Sequence, residues 1–457
     1  MLIALSLAAG ALLAMSLPYW LPPAIVRLRM RIFTRVNGEE GIPIPGPLVD
    51  ASRFKQVYSH SAANGRSRGA ALSDLFWYWL SPGPEVHQEH LEPGKRYEEV
   101  ARSTRRILAL SKTEAEDLAS RCVTRVLDQQ DFRSANLVRL RDVMMPVWAE
   151  FYYELVFGET CPRNARDLIV GNANDVVTAL KCRGLRHMQK RSRLTRFLIR
   201  RLEGGVPHTL PESLSTEERA LYLQGVFFNT AVVQMSEAMT HLLMAIAQHG
   251  NVQAKLAGDS TDDAYLDRVL AETLRMFPLF GIAHRIASSD IAVDEGTTIP
   301  KDSVVCFNYP EYHRAGFDDP ERFDPGRWEN LAANEATYIP FGVTANRPCP
   351  AHSVALITMR VAAREMLRRF KLRSSASHTR SIPHRGPCLL IPREQKDDRR
   401  RSRALLAFMR IRDSWEDVWG SVVQLTLGSF MVWHARRLRL CQSYFERSGE
   451  KCQTLPK

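Results

Sequence analysis

The chain has 457 residues, of which 45% are hydrophobic and 25% are charged, and its formal net charge is +12. This composition supports one large core or two to three domains, and it excludes the disordered and collagen-like classes. The positive charge favours an anionic partner. Because the chain has no recognisable nucleic-acid motif, we expect lipid headgroups or an acidic protein and no nucleic acid. Eight cysteines without a C-x-x-C pair or zinc spacing predict free thiols in a reducing compartment.

Residues 1–26 contain no charged side chain and predict a membrane anchor. Tyr19 and Trp20 lie at its margin, and four arginines follow it: Arg27, Arg29, Arg31 and Arg35. An apolar span, an aromatic margin and a basic flank indicate a membrane helix whose carboxyl side is cytosolic. A cleaved signal peptide is the alternative, although the positive segment that precedes the apolar part of such a peptide is missing.

Residues 27–47 combine this basic flank with a proline-rich segment. Residues 42–47 read Ile-Pro-Ile-Pro-Gly-Pro, and alternating prolines favour a stiff, extended backbone. We therefore predict a hinge that sets the main domain, residues 48–393, on the membrane.

The main domain shows helical periodicity over most of its length. Helical patterns cover residues 111–201, 217–248, 265–276 and 352–370, and the second of these is predicted to be one long apolar helix. In residues 291–308 β-branched side chains gather around the turn residues Gly296 and Pro300, which indicates short strands. The predicted fold class is therefore mainly α with small β-sheets.

Residues 341–351 read Phe-Gly-Val-Thr-Ala-Asn-Arg-Pro-Cys-Pro-Ala. The prolines on both sides of Cys349 stiffen the backbone and remove two N–H donors, so the sulfur can be held exposed. Arg347 adds a positive charge, which favours the thiolate form of the cysteine. The alternative is a buried, inert thiol, because free cysteine is among the most buried residue types.

Glu272 and Arg275 lie three residues apart on a predicted helix and therefore share a face. Their neighbours are apolar, and a buried ion pair must be fully matched. Arg327, in the segment Phe-Asp-Pro-Gly-Arg-Trp, offers a second arginine, and a guanidinium can donate to several acceptors at once. The alternative is an ordinary surface ion pair.

The order of these motifs resembles the cytochrome P450 family of haem-thiolate enzymes. Glu-x-x-Arg comes first, Arg285 follows Pro278, a short β region leads to residues 319–328, and the cysteine segment precedes a helix. The resemblance is strong from about residue 251 to residue 393, looser before that and absent after it. It implies the cytochrome P450 fold, to which the anchor adds an N-terminal membrane helix.

The resemblance also implies roles for individual residues. Cys349 would be the axial ligand of haem iron, since thiolate donation favours O–O cleavage in such enzymes. Phe341 and Arg347 belong to the cofactor-binding segment, and Arg285 matches the arginine that pairs with a haem propionate. The structural triad of the proximal side is matched by Glu272, Arg275 and Arg327.

The sequence departs from the family pattern at two places that would bind the haem, the cysteine segment and the residues that meet the second propionate. The cysteine segment is one residue longer than usual, and Ala351 replaces a glycine that permits positive φ or a close approach. The tryptophan and arginine that usually meet the other propionate are not recognisable. The candidates to replace them are Arg102, Arg105, Arg106, His87 and His90.

A third departure lies on the distal helix, where the family's acid–alcohol pair relays protons. Counting back from His249, this pair falls near Val233 to Ser236. Gln234 cannot supply a proton as a carboxylic acid does, so Ser236 and Glu237 complete the set of catalytic candidates if the helix bulges or shifts by one residue. The alternative is that both side chains hydrogen-bond within the helix.

Residues 394–457 form a predicted basic helical extension beyond the resemblance. Within it, residues 418–433 carry no formal charge and include Trp419, Phe430 and Trp433. This stretch is short for a membrane span. It either lies on a membrane surface, where aromatic and basic residues meet the interface, or packs on the catalytic domain.

The anchor and the resemblance together imply a membrane-anchored haem-thiolate monooxygenase of the eukaryotic microsomal type. It would oxidise an apolar small molecule in secondary-metabolite biosynthesis, with NADPH electrons delivered by a flavoprotein reductase. The implied location is the endoplasmic-reticulum membrane, single-pass, with the catalytic domain in the cytosol. Two alternatives stay open. The first is a different haem-thiolate enzyme, either an oxygen-independent isomerase or dehydratase or a peroxygenase. The second is a non-catalytic haem-binding membrane protein.

Overall fold

The computed structural model describes residues 2–37, 41–68, 70–132, 134–258, 263–395 and 398–447. The α-helices are α1 Leu2–Asn37, α2 Phe54–Ser59, α3 Ala71–Leu80, α4 Lys95–Ile107, α5 Lys112–Asp128, α6 Leu140–Phe157, α7 Arg163–Leu180, α8 Met188–Glu203, α9 Thr216–Leu223, α10 Val232–Gln248, α11 Gly250–Leu256, α12 Asp263–Met276, α13 Tyr309–Arg314, α14 His352–Arg369, α15 Arg399–Leu438 and α16 Leu440–Arg447. The strands are β1 Ile42–Ile44, β2 Ala63–Gly65, β3 Asn136–Arg139, β4 Ile282–Ala287, β5 Ile291–Ala292, β6 Thr298–Ile299, β7 Val304–Asn308, β8 Phe370–Arg373 and β9 Pro387–Pro392. This architecture confirms the predicted fold class of helices with small sheets.

Local sequence signals set several helix boundaries. Ser111 and Glu114 form a reciprocal capping box at the start of α5, in which each side chain accepts from the backbone N–H of the other. α12 ends at Met276, two residues before Pro278, because a proline disfavours helical backbone in the residue that precedes it. These helices therefore begin and end close to where the sequence predicts.

The main core forms where helices α5, α6, α10 and α14 pack together. Helix α10 is buried on almost every side, which explains why its sequence is apolar without a polar stripe. One large apolar cluster runs from these helices into β8 and β9. The core therefore holds the long distal helix rigidly beside the cysteine segment.

The largest sheet has the strand order β1-β7-β4-β2. Strand β4, which the sequence prediction did not include, pairs antiparallel with β7 and with β2. Strand β1 pairs in parallel with β7, so Ile42 to Ile44 form the edge of this sheet. The proline-rich segment, which the sequence predicts to be a stiff, extended hinge, thus begins with three residues that are paired with the main domain.

The long distal helix is continuous but not uniform. A π-helical segment, Gln224–Ala231, separates α9 from α10. Such segments widen one turn of a helix and frequently occur at functional sites. The single helix predicted over residues 217–248 is therefore present with an altered register at its centre.

The two ends of the chain lie together. By length and composition Gly10–Ile32, within α1, could cross a membrane, which agrees with the predicted N-terminal membrane helix. Helix α1 packs along α15, and Arg29 Nη1 donates to Gln424 Oε1 at 3.0 Å. Part of the predicted extension, residues 396, 397 and 448–457 with Cys452, lies outside the described residues.

Candidate active site

Residues from distant parts of the chain line a single cavity of about 270 Å³. The predicted cofactor-binding residues all lie on its wall: Cys349, Arg285, Arg347 and Phe341. Gln234 lines the opposite side, on the distal helix. The structure therefore brings together the cysteine segment, strand β4 and the distal helix, as the resemblance implies.

A turn holds the cysteine segment in place. The Cys349 N–H donates to the Phe341 carbonyl at 2.9 Å, and the Asn346 N–H donates to the Val343 carbonyl at 3.1 Å. Gly342 has a φ of +75° and lies against the Tyr58 hydroxyl, where an added Cβ would stand 3.2 Å from the oxygen. The extra residue of this segment is therefore absorbed in the turn from Val343 to Asn346.

The Asn346 side chain then fastens this turn to the sheet. Its Nδ2 donates to the carbonyl oxygens of Tyr58 at 2.9 Å and of Ala63 at 2.8 Å. Asn346 is only 7% exposed, so these bonds are shielded from water and hold the loop firmly.

The expectation that Arg347 favours a Cys349 thiolate is wrong for the protein without a bound metal. Burial raises the pKa of the Cys349 thiol to about 11. The Arg347 guanidinium points elsewhere, because it donates to the Leu91 carbonyl at 2.9 Å and lies 4.1 Å from the Tyr97 ring centre. A coordinated metal deprotonates a thiol outright, so a metal and not Arg347 would create the thiolate here.

Three buried or half-buried arginines crowd one end of the cavity. Arg285 Nη2 donates to the Tyr58 hydroxyl at 3.1 Å, and Arg66 Nη2 pairs with Glu89 Oε2 at 2.7 Å. Burial and the neighbouring Arg66 lower the pKa of Arg347 to about 10, which shows the mutual repulsion of these cations. Three positive charges and the single carboxylate of Glu89 leave a net charge of +2 on the described wall of the cavity.

Histidines beside these arginines do not add to that charge. Burial lowers the pKa of His87 to about 4 and that of His284 to about 3. Burial and the adjacent His87 hold the pKa of His90 well below its usual range. All three imidazoles are therefore neutral near pH 7, and the net charge of +2 needs an anionic ligand to offset it.

Several polar atoms on the same wall lack a protein partner. Arg285 Nε and Nη1, Arg347 Nη2 and His90 Nε2 are buried and make no hydrogen bond to any residue that the structure describes. Buried donors are costly to leave unpaired. Two carboxylates placed here would pair these donors and cancel the charge, which is what the two propionates of a haem provide. The residues present therefore fit the group that the resemblance implies.

Glu272, Arg275 and Arg327 meet as the resemblance implies. Glu272 Oε2 accepts from Arg275 Nε at 2.8 Å, and Glu272 Oε1 accepts from Arg327 Nε at 3.1 Å. Trp328 Nε1 and the Asp324 N–H donate to the same carboxylate, each at 2.9 Å. The carboxylate is fully buried and fully paired, so this cluster joins α12 to the segment around Arg327.

The predicted candidates for the second propionate divide into two groups. His87 and His90 line the cavity, whereas three arginines of α4 are exposed: Arg102, Arg105 and Arg106. The residue that the sequence prediction missed is Arg66, which follows strand β2. No local motif marks it, because only the pairing of β2 with β4 brings it beside Arg285.

Two of the catalytic candidates lie away from the cavity, which corrects that prediction. Ser236 Oγ donates to the Val232 carbonyl at 2.6 Å, within the helix. Glu237 pairs with Arg141 Nη1 at 2.8 Å and also with Lys181. Among the described residues that line the cavity, Gln234 is present but neither Ser236 nor Glu237 is.

The environment of Glu237 also excludes a role in supplying protons. Burial alone would raise the pKa of this carboxyl, but Lys181 and Arg141 hold it below its usual value. Glu237 is therefore a carboxylate near pH 7 and acts as a counter-ion between helices.

A different hydroxyl faces the cavity one turn earlier. Thr230 Oγ1 lies 2.9 Å from His87 Nε2. The Glu89 N–H donates to His87 Nδ1 at 3.0 Å, so Nδ1 has no proton in the neutral ring and Nε2 carries it. Thr230 consequently accepts from His87, and its own O–H is left to donate towards the cavity. Gly225 permits this contact, since an added Cβ would lie 3.0 Å from the His87 ring.

The Asn229–Thr230 pair precedes Val233–Gln234 by four residues and so presents the same helix face. Asn229 Oδ1 accepts from Asn172, and Asn172 Oδ1 accepts from Gln224 Nε2 at 3.1 Å, which satisfies the buried amides. Counting back along an ideal helix missed this pair. The one available signal was the polar Asn-Thr step within an apolar run.

Comparison with known proteins agrees with this geometry. A family model described as cytochrome P450 matches residues 186–396. Cytochrome P450 135B1 of Mycobacterium tuberculosis is 36% identical over 143 residues, which cover 29% of this chain and 30% of that protein. Cytochrome P450 3A19 of Capra hircus aegagrus is 31% identical over 158 residues, which cover 30% of this chain and 70% of that sequence. The alignment thus spans less than a third of the mycobacterial relative's length.

The fold gives the same result over a longer stretch. A zebrafish cytochrome P450 solved with progesterone superposes with a TM-score of 0.60 at 16% identity, covering 75% of this chain and 90% of that one. At this identity the likeness concerns the fold alone. With the family match over the region that contains Cys349, Glu272 and Arg285, the conclusion is that the chain belongs to the cytochrome P450 family.

Proposed function

We propose that this protein is a haem-thiolate monooxygenase that oxidises an apolar small molecule. One observation carries the proposal: the only cysteine on the described cavity wall, Cys349, faces the same space as Arg66, Arg285 and Arg347. A haem has an iron for the sulfur and two carboxylates for the net charge of +2.

The residues that would hold the group follow from this arrangement. Cys349 would be the axial ligand, and Phe341 would lie beside it. The propionates would pair with Arg285, Arg347 and His90, which supply the unpaired polar atoms, and Arg66 would add positive charge beside them. When bound, haem iron with a thiolate ligand supplies the chemistry of dioxygen activation.

The reaction consumes one dioxygen, two electrons and two protons. One oxygen atom enters a C–H bond or a double bond of the substrate, and the other leaves as water. The electrons come from NADPH through a flavoprotein reductase. The family resemblance supports these two partners.

The wall above the cysteine supports an apolar substrate. Leu80, Val176, Leu180, Phe227 and Leu279 line it, and apolar side chains exclude water from the reacting carbon. The endoplasmic-reticulum location, with the catalytic domain in the cytosol, and the role in secondary metabolism belong to the same proposal. The apolar α1 and its basic flank support the membrane location.

Dependence on both NADPH and reductase tests this function. The purified, haem-loaded chain is incubated with a panel of apolar compounds, and products are measured by mass spectrometry with and without each component. Product formed only when NADPH, reductase and dioxygen are all present is the expected result. Turnover in their absence would favour the isomerase, dehydratase or peroxygenase. Full haem loading with no turnover of any compound would favour a non-catalytic haem protein.

We further propose that Thr230 delivers protons in place of an acid–alcohol pair. Neutral His87 donates its Nε2–H to the Thr230 hydroxyl oxygen. The Thr230 O–H is therefore left to donate into the cavity. Changing Thr230→Val removes that O–H and keeps the shape of the side chain. We expect product formation to fall at least roughly tenfold while peroxide release per NADPH rises.

Two variants make this test specific. Thr230→Ser keeps a hydroxyl and should restore most of the product yield. Thr240→Val changes a buried threonine on the same helix whose hydroxyl donates to the Ser236 carbonyl at 2.7 Å, and it should leave the peroxide-to-product ratio unchanged. An unchanged ratio in Thr230→Val would remove this role.

A further inference from the structure

One face of helix α15 exposes a row of large apolar side chains. Its members are separated by three or four residues, or by a multiple of the helical repeat, and each is 43% to 70% exposed: Phe408, Ile411, Trp415, Trp419, Phe430 and Trp433. Val422 and Thr426 fill the gap at the same spacing. This exposed apolar face runs for about 38 Å along the helix, at 1.5 Å per residue.

The opposite face of α15 packs on the rest of the protein, so the row of apolar side chains must point outwards. Met409 and Met431 are fully buried. Gln424 Nε2 donates to the Lys181 carbonyl at 2.9 Å, and Arg139 pairs with Glu416 at 2.6 Å. An exposed apolar surface of this extent marks an interaction site.

Helix α1 lies beside α15 and continues the apolar surface. Ile25 is 6% exposed, and Arg29 bonds to Gln424, so the carboxyl half of α1 is the half that packs. Towards its amino end the side chains are exposed, among them Leu12 at 69%, Met15 at 69% and Tyr19 at 85%. Two neighbouring helices therefore present apolar side chains to the surroundings.

This packing argues against a simple crossing of the membrane. The middle of α15 carries five charged side chains: Arg410, Arg412, Asp413, Glu416 and Asp417. Such a helix cannot lie in the hydrocarbon core, and neither can the part of α1 that packs along it. The amino half of α1 that remains is 18 of its 36 residues and about 27 Å long, which is still shorter than a hydrocarbon core of about 30 Å.

The chemistry of the face fits a lipid surface. Tryptophan is enriched at the membrane–water interface, and arginine beside it meets anionic headgroups. Arg403, Arg410 and Arg437 are exposed on the same helix, and Arg437 lies 5.7 Å from the Trp433 ring centre. The net charge of +12 favours the same anionic partner.

We propose that α15 and α1 together form a platform that lies in the plane of a membrane, with the exposed apolar face of α15 inserted among anionic phospholipids. The platform attaches the protein to one leaflet, in place of the single-pass crossing that the sequence predicts. It goes beyond the proposed catalytic function and does not depend on it.

Vesicle flotation of the full chain tests the platform. Vesicles of phosphatidylcholine with phosphatidylserine are mixed with the parent protein or with the triple variant Trp415→Ser/Trp419→Ser/Phe430→Ser. These side chains are exposed, so the fold should survive, and circular dichroism checks it. We expect the triple variant to bind about a hundredfold more weakly, because three aromatic side chains no longer enter the lipid.

A matched control changes exposed leucines that lie off both helices, Leu48→Ser and Leu185→Ser, and it should bind vesicles like the parent. Vesicles of phosphatidylcholine alone should bind the parent less tightly, since the arginines then lose their anionic partners. Binding of the triple variant equal to that of the parent would overturn the proposal. So would a concentration-dependent dimer of the parent that the triple variant loses, since a second copy would then be the partner of this face.

Discussion

Replacing Cys349 with serine is expected to abolish the red-shifted Soret band that the reduced, carbon monoxide-bound protein shows with a thiolate ligand. The sulfur is the single described thiol that faces the arginine-lined cavity, so no other cysteine can take its place without moving the chain. Serine keeps the size of the side chain but is a much poorer ligand for haem iron. The measurement is a difference spectrum of the reduced protein with and without carbon monoxide.

Cys306→Ser is the matched control, because Cys306 is also half-buried but does not line the cavity. Its spectrum should match that of the parent. Persistence of the red-shifted band in Cys349→Ser would contradict the proposed ligand and with it the proposed function. Loss of the band in both variants would instead indicate that the fold, and not the ligand, is disturbed.

Replacing Glu272 with glutamine is expected to lower the free energy of unfolding by about 3–5 kcal/mol, the usual cost of removing one partner from a buried ion pair. Glutamine keeps the shape of the side chain, but Arg275 is 2% exposed and would lose its only described carboxylate partner. Arg327, which is more exposed, would lose the same partner. The measurement is urea unfolding followed by circular dichroism, with the midpoint read at constant slope.

Glu321→Gln provides the comparison for this change. Glu321 pairs with Arg314 at 2.9 Å, but its side chain is 70% exposed. Exposed pairs contribute roughly 0–1 kcal/mol, so this variant should unfold almost like the parent. Equal shifts in the two variants would contradict a structural role for the buried carboxylate.

The distal side shows why a sequence pattern can find the right helix and the wrong residues. Counting back from His249 crosses only the regular helix α10 and finds the right turn, but it cannot tell which of the side chains there faces the cavity; Thr230 lies further back, in the π-helical segment Gln224–Ala231. Ser236 bonds within its own helix and Glu237 pairs with Arg141 and Lys181, while Thr230 and Gln234 line the cavity. The carboxylate of Glu237 is paired with Lys181 and Arg141, which no spacing along the helix could predict.

The positive charge of the cavity comes from residues that are distant in the sequence, so it could not be predicted from local spacing. Arg66 and Arg285 are distant in the sequence and adjacent in space because β2 pairs with β4. Tyr58, on helix α2, belongs to the same cluster: its hydroxyl accepts from Arg285 and contacts the Tyr309 hydroxyl at 2.9 Å. No periodicity or spacing predicts such a cluster, since each member belongs to a different element.

The sequence by itself determined the features whose chemistry is local: the proline-flanked Cys349, the Glu272–Arg275 pair on one helix face, the apolar amino end and the mainly helical class. Each depends on residues within a turn or two of one another, where spacing decides which side chains meet. Only the tertiary structure decided which charges share a cavity, which hydroxyl faces it, and which side of α15 stays exposed. Those properties depend on what packs against each element, because burial and pairing are set by contacts between distant segments.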